Sequence, residues 1–410
     1  INQYAFRNDT QLENLTFTSN FTDYPWEGDD AELFVGNDAF SGCTGLKSVT
    51  MPQCKSNIGT EAFKGCTSLE TAELSNVSYL NSNAFSGCSA LKRVHFNDQL
   101  TTISTNVFYG CNSLKSIVVP FANMNKNSLN VNALKNCPNL KAVVVDATSL
   151  TSDQAEELST FVNYNTSMPL YVTKNCYDKA FPKSAPANVK VYTDYRRMAR
   201  QYTDTDENKV VELKEGYGSV CLPGEISLAD SYNLKAVYSL QTIEGRTDAY
   251  GLKAQAQADV KAGKPYVFAR CNDDSSDPDN LVVFAVDNSK ETVSAPVEDD
   301  MLVGTFEKIA APTGCYILQS DNLFHPVRSS RNVGAYRAYL KNDSQSAAKV
   351  SLFVIGEDTP TGITSATDGG DNAIDPTQPV YNLNGQRVDV PQKGQIYLMK
   401  GKNGYVKVRR

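Results

Sequence analysis

The feature that most restricts this chain is a motif that returns at a fixed interval. Six segments read apolar residue, three variable residues, then Ala or Val, then Phe or Leu: "INQYAF", "VGNDAF", "IGTEAF", "LNSNAF", "ISTNVF" and "LNVNAL", starting at residues 1, 35, 58, 80, 103 and 129. Steps of 34, 23, 22, 23 and 26 residues give a core period of 22 to 23, with insertions in the first and fifth repeats. A unit this short cannot enclose a core alone. Each must bury its apolar face against the next copy, which makes a solenoid. The second half of each copy carries Leu, two variable residues, an apolar residue, one variable residue and another apolar residue, as in Leu46, Val49, Met51 and Leu91, Val94, Phe96. That alternation marks a short strand with one buried face. Stacking predicts one parallel sheet with Phe6, Phe40, Phe63, Phe85 and Phe108 in file behind it.

Cys43, Cys66, Cys88, Cys111 and Cys137 hold equivalent places in their repeats, and Asp9 stands at that place in the first. Equivalent side chains in stacked coils point the same way, about 4.8 Å apart. A disulfide wants converging Cβ atoms about 3.8 Å apart, and a tetrahedral metal site wants four ligands around a point. A straight file supplies neither. Burial as small apolar side chains fits all five thiols at once, ahead of disulfide pairing and of a metal or catalytic role.

"AFSGCTGLKSVTMP" (39–52), "AFKGCTSLETAELS" (62–75) and "AFSGCSALKRVHFN" (84–97) resemble the BspA-type leucine-rich repeat of bacterial surface proteins over residues 1–150. The resemblance implies a secreted or surface-displayed, adhesin-like protein that binds a host extracellular matrix protein, another cell-surface protein or a glycan. Residues 151–195 depart from the repeat. "SDQAEELSTFVNYN" reads as a helix capped by Ser152 or Asp153, followed by the strand-like "MPLYVTKN" and "NVKVY". We read them as a cap on the solenoid's last open edge, which sets a first domain at 1–200.

Residues 201–356 change character. Short strand candidates such as "YGSVCLP", "PYVFARC" and "NLVVFAV" recur about every dozen residues between turn residues, the spacing of an antiparallel β-sandwich. This part resembles an accessory β domain of secreted proteins of Gram-negative anaerobes. Cys221, Cys271 and Cys315 lie in or beside its strands and read as buried thiols. Residues 357–378, rich in Gly, Pro, Asp and Thr, form a linker. Residues 379–410 carry two hairpin signals, Asn384-Gly385 and Asn403-Gly404, and resemble the C-terminal module of the same class of secreted proteins. The fold class is therefore mixed: a leucine-rich repeat solenoid, an antiparallel β-sandwich and a short β hairpin segment.

The charge excludes one class of partner. The chain is formally −7, and residues 379–410 are +6 (seven Lys and Arg against Asp389), which leaves −13 elsewhere. Nucleic acid is not expected, because phosphate binding needs clustered cations. No run approaches the roughly 18 apolar residues of a membrane span, so no transmembrane segment is expected. The chain opens inside the repeat pattern, so we expect any signal sequence or earlier repeats to have been removed or left out.

Catalytic chemistry finds little support. His95 and His325 are the only histidines, and no metalloprotease, nucleophile-elbow, phosphate-loop or dinucleotide motif occurs. We expect no enzyme and no cofactor. "DTDENKVVELKE" places Asp204, Asp206, Asn208 and Glu215 at calcium-loop positions, but Lys209 stands where the loop needs Gly, and an interdomain linker is the better reading. The acidic "NDDSSDPDN" (272–280) lacks a closing Glu and reads as a solvated loop. Whether either binds calcium stays open.

Alternation assigns the outward face of the sheet: Asn14 and Thr16, Ser48 and Thr50, Thr71 and Glu73, Arg93 and His95, Ser116 and Val118, Ala142 and Val144. Its centre is polar and charged, whereas Val118, Ala142 and Val144 are smooth and apolar. Thr71, Glu73, Arg93, His95 and Ser116 are the candidate ligand-binding residues, weighed against an ordinary solvated surface. The insertion "NFTDYPWEGDD" offers a second candidate, an aromatic patch of Phe21, Tyr24 and Trp26, weighed against folding back over the solenoid. A rival function is a structural spacer or display protein whose β domain binds glycans.

Overall fold

The computed structural model describes residues 1–17, 32–52, 54–197, 217–242, 251–271, 281–318, 323–327, 330–341, 350–354, 380–381, 387–388, 396–401 and 404–409. In chain order the solenoid strands are β1 (Asn14–Thr16), β2 (Glu32–Val35), β3 (Ser48–Thr50), β4 (Lys55–Ile58), β5 (Thr71–Leu74), β6 (Val77–Leu80), β7 (Arg93–Phe96), β8 (Thr102–Ile103), β9 (Ser116–Pro120) and β10 (Ala142–Asp146).

The solenoid holds two parallel sheets where the sequence pattern predicts one. β1, β3, β5 and β7 form the expected sheet, and β2, β4, β6 and β8 form another. The second arises from the apolar residue that opens each motif. Val35, Ile58, Leu80 and Ile103 end β2, β4, β6 and β8 with their side chains buried, and Leu129 joins by a bridge to Ile103. Each coil is thus a flattened loop with a strand on either side and the Phe, Cys and Leu rows between.

The Phe file is a regular stack. Ring centroids from Phe6 through Phe40, Phe63 and Phe85 to Phe108 lie 5.1, 5.2, 5.1 and 5.7 Å apart, with planes within 12° of parallel. That step matches the spacing of hydrogen-bonded strands. Beside it runs a ladder of thiols. Cys43, Cys66, Cys88, Cys111 and Cys137 donate to the carbonyls of Phe6, Phe40, Phe63, Phe85 and Phe108 at 3.0, 3.2, 3.2, 3.4 and 3.1 Å. The cysteine is therefore small enough to bury and polar enough to tie each coil to the one before it. All ten cysteines of the chain are free thiols.

The cap consists of α1 (Ser152–Tyr164), β11 (Leu170–Val172), α2 (Lys174–Ala180) and β12 (Val189–Arg197). Its helix begins one residue earlier than a Ser152 cap would allow and two earlier than an Asp153 cap would allow. Thr151 is the N-cap and forms a reciprocal capping box with Gln154, whose amide accepts from the Thr151 N–H at 2.8 Å. Gln154 also donates to the carbonyls of Phe121, Ala122 and Met124, and the Glu157 carboxylate accepts the N–H groups of Asn127 and Leu129 at 2.8 and 2.9 Å. One helix face thus satisfies backbone groups that no further coil would pair. Cys176 repeats the thiol motif with a bond to the Ala147 carbonyl at 3.3 Å.

The following region adds β13 (Tyr217–Val220), β14 (Leu234–Thr242), β15 (Gly251–Ala256), β16 (Tyr266–Arg270), β17 (Leu281–Ala285), β18 (Leu302–Thr305), β19 (Ile309–Ala310), β20 (Tyr316–Leu318), β21 (Leu323–Pro326), β22 (Asn332–Val333), β23 (Arg337–Leu340) and β24 (Val350–Val354). Instead of two facing antiparallel sheets, nine of these strands form one sheet in the order β13-β16-β14-β15-β24-β21-β20-β23-β18, with β15 and β24 parallel. The sheet curls until its first strand meets β23, where the Ser219 hydroxyl donates to the Ala338 carbonyl at 2.7 Å. β16 is buried along its length because both faces are covered. Val267 and Ala269 pack with Tyr238, Tyr316 and Phe324, while Tyr266 and Phe268 pack with Val282 and Phe284.

β17 leaves that sheet and joins the solenoid. It pairs antiparallel with β12, Tyr192 opposite Ala285 and Arg197 opposite Leu281, so a five-stranded sheet runs β9-β10-β11-β12-β17. Near the C-terminus, β25 (Val380–Tyr381), β26 (Arg387–Val388), β27 (Ile396–Gly401) and β28 (Gly404–Arg409) form an antiparallel sheet in the order β26-β25-β27-β28. The linker at 357–378, the Asn384-Gly385 pair, Asn403, the calcium-loop-like segment, the acidic run at 272–280 and the Phe21, Tyr24, Trp26 patch lie outside the described residues.

Candidate binding face of the solenoid sheet

The register places the sequence-derived face in two straight columns. Asn14, Ser48, Thr71 and Arg93 are successive partners across β1, β3, β5 and β7, and Thr16, Thr50, Glu73 and His95 form the neighbouring column. Thr71, Glu73, Arg93 and His95 are therefore side by side and all half-buried. The His95 ring Nδ1 lies 2.8 Å from a Glu73 carboxylate oxygen, a contact that orients both side chains. Arg93 is itself held by further interactions within the chain. Along the margin, Lys47 pairs with Glu13 at 2.8 Å and Lys92 with Glu70 at 3.1 Å. The Lys47 ammonium, hydrogen-bonded to Glu13, holds that carboxyl below its ordinary range.

Ser116 does not share this setting. It is only 7% exposed, and the rest of its side of the sheet is covered. Val118, Ala142 and Val144 are buried with Tyr171, Tyr192, Tyr232, Leu281, Val283 and Ala285 in one apolar cluster. The cover comes from β17 and from the turn before β14, where Tyr232 forms a bridge to Val283. Polar contacts fasten the same seam. Lys190 meets Asp230 at 2.6 Å, the Tyr171 hydroxyl donates to the Asp230 carbonyl at 3.0 Å, and the Tyr232 hydroxyl donates to the Lys115 carbonyl. Its bond to Lys190 holds the Asp230 carboxyl below the usual range, and burial pushes the Tyr171 phenol up.

The sequence does not point to Tyr171, Tyr192 and Tyr232 as the residues of this seam. It does carry a signal that something must cover the region, namely three small apolar residues on an otherwise polar face. The result is a half-closed sheet, polar and partly open over β5 and β7, apolar and sealed over β9 and β10.

Two strands per coil, a stacked Phe row and a helical cap define a leucine-rich repeat solenoid. Residues 30–152 match the family described as BspA type leucine rich repeat region, in six copies, and this stretch is a BspA-type repeat region. None of the curated proteins matches the chain. Among solved structures, a leucine-rich repeat protein of T. pallidum is 27% identical over 33% of this chain and 59% of its own, with a TM-score of 0.28. A leucine-rich repeat protein of Bacteroides ovatus is 24% identical over 35% of this chain and 39% of its own, with a TM-score of 0.26. A leucine rich cell surface protein of Faecalibacterium prausnitzii is 15% identical over 47% of this chain and 63% of its own, with a TM-score of 0.18. The chain spans less than two thirds of each of these proteins. Among the described residues, no helix is long and apolar enough to cross a membrane.

Proposed function

We propose that the chain is a surface-displayed recognition protein, not an enzyme, and that the open half of its solenoid sheet binds a macromolecule. The reading rests on one observation: the second half of the face is sealed by Tyr232 and β17, whereas Thr71, Glu73, Arg93 and His95 are left half-exposed on rigid strands. A recognition surface gains from such rigidity, because side chains already ordered lose little freedom on binding. The partner classes are a host extracellular matrix protein, another cell-surface protein or a glycan. The BspA-type repeats favour the adhesive role and a surface location.

A second reading follows from the β12–β17 pairing, which joins solenoid and β region through a continuous sheet. Such a body suits a spacer that holds a glycan-binding β domain away from the cell. Binding of the full chain to immobilised matrix proteins, mucins and glycans separates the two. The recognition reading expects the variant Glu73→Ala/His95→Ala to lose about five-fold or more in affinity, the factor equivalent to about 1 kcal/mol. Undiminished binding by that variant supports the spacer.

A further inference from the structure

The last repeat breaks its own rule at the place where the cap begins. The four coils before it read Ala or Val, Phe, variable, Gly, Cys, and the first reads Ala5, Phe6, Arg7, Asn8, Asp9; this one reads Ala133, Leu134, Lys135, Asn136, Cys137. Leu134 is smaller than the Phe it replaces, and Asn136 keeps the left-handed backbone (φ 60°) that Gly42, Gly65, Gly87 and Gly110 hold in the earlier coils. Asn tolerates that conformation and adds an amide where the Gly row is bare. Against this turn α1 ends with Tyr164, which is 74% exposed, the most open large apolar side chain among the described residues.

Between them lies an open cleft of about 480 Å³ with Leu134 in its wall. Its polar lining includes Lys135, Asn136, Tyr164, Asn165, Thr166 and Ser167, and none of its described lining residues is acidic. The volume falls in the usual range for small-ligand sites, roughly 300 to 1,000 Å³. Asn165 is fixed, because its side-chain nitrogen donates to the carbonyls of Val131 and Phe161 at 3.0 and 2.8 Å.

We infer that this cleft binds a short neutral saccharide, one or two rings long, with a sugar face against Tyr164. An aromatic face meets the C–H side of a pyranose, and the Asn136 amide with the Tyr164, Thr166 and Ser167 hydroxyls can both donate to and accept from its hydroxyl groups, while Asn165, both of whose amide hydrogens are committed, offers its oxygen. A ligand with a carboxylate fits less well, because the negative end of the α1 dipole faces the cleft and opposes the single cation, Lys135. The site lies at the cap end of the solenoid and stands apart from the open sheet face, so either can fail without the other.

Saturation-transfer NMR on the full chain tests it, with lactose, maltose and N-acetylglucosamine as neutral probes and 3′-sialyllactose as the acidic one. We expect transfer to at least one neutral probe, exceeding that to sialyllactose. Tyr164→Ala should weaken it by about five-fold or more, the factor equivalent to about 1 kcal/mol. Tyr164 is exposed, so an unchanged melting temperature shows that the variant is folded. No transfer to any neutral probe, a preference for the acidic probe, or transfer unaffected by Tyr164→Ala overturns the assignment.

Discussion

The Cys88 thiol donates to the carbonyl of Phe63, one coil earlier, at 3.2 Å, and Phe63 in turn stacks on Phe85, three residues before that thiol. One unit of the repeat thus grips the previous coil twice, by ring contact and by sulfur. The same geometry makes these thiols poor acids. Burial pushes the ladder thiols Cys43 and Cys137 up to about 11 from the ordinary 9.0 and raises Cys88 and Cys111 well above it, and outside the ladder it pushes Cys221 of the β region up to about 12. At pH 8 a disulfide reagent should therefore leave these five largely unmodified in the native protein and should modify all ten cysteines after denaturation. Rapid labelling of all ten thiols in the native state would contradict the ladder.

The same shifts set a pH dependence. Where folding raises a thiol's pKa, the unfolded chain loses its proton first as pH rises, so native stability is full below 9.0 and falls as pH climbs toward about 11. Urea midpoints measured from pH 8 to 11 should decline over that window, and substitution of Cys88 by Ala should flatten the decline. A midpoint that rises across the window would contradict the account.

The Phe stack should show a position effect. Phe63 is fully buried, whereas Phe6 is 44% exposed. Phe63→Ala is expected to cost about 3 to 5 kcal/mol, the range for deleting a buried Phe, and Phe6→Ala clearly less. Equal losses in urea unfolding would mean that the stack is not the solenoid's core.

Helix α1 stabilises the last coil through Glu157, which accepts two backbone N–H groups. Glu157→Ala leaves both without a partner, at about 1 to 3 kcal/mol for each. Hydrogen exchange at Asn127 and Leu129 should accelerate most. Unchanged protection at those two amides would show that the helix is not what caps the coil.

The sealed half of the sheet can be opened by one substitution. Ala142 has no exposed surface beneath the Tyr232 and β17 cover. Ala142→Arg places an unpaired charge there, which costs about 3 kcal/mol or more if the seam stays shut. The β region should instead separate from the solenoid, read as an increased radius of gyration in solution scattering. An unchanged radius with unchanged stability would show that the seam is not closed in solution.

Some of this was legible in the sequence and some was not, for reasons that lie in particular residues. The face columns follow from alternation alone, because a period-two pattern leaves no choice about which side Thr71 and Glu73 take. The second sheet is hidden because its strands share no common alternating pattern: β2 reads Glu-Leu-Phe-Val, β4 Lys-Ser-Asn-Ile and β6 Val-Ser-Tyr-Leu, and only the closing apolar residue, Val35, Ile58, Leu80 or Ile103, recurs. The cap helix is legible but its start is not: Thr151, Ser152 and Asp153 all suit an N-cap, and only the bond from Gln154 decides among them. Alternation alone puts Ser116 in the open site, because the cover on its side of the sheet, Tyr232 and Leu281 packed with Val118, comes from more than a hundred residues away in sequence, and long-range packing leaves no local trace. The nine-stranded sheet could not be told from a sandwich, since strand spacing is the same in both.

The most direct test of the central claim compares two charge insertions on opposite sheets of the same solenoid. Thr71 lies in the open face, and Thr102 lies in the outward column of the second sheet with Phe34, Asn57 and Tyr79. Binding of the full chain to immobilised matrix proteins, mucins and glycans should fall about ten-fold or more with Thr71→Arg, equivalent to about 1.4 kcal/mol, and stay unchanged with Thr102→Arg. Full binding by Thr71→Arg, or no binding by the intact chain to any of these partners, would contradict the assignment of the open half-sheet as the recognition face.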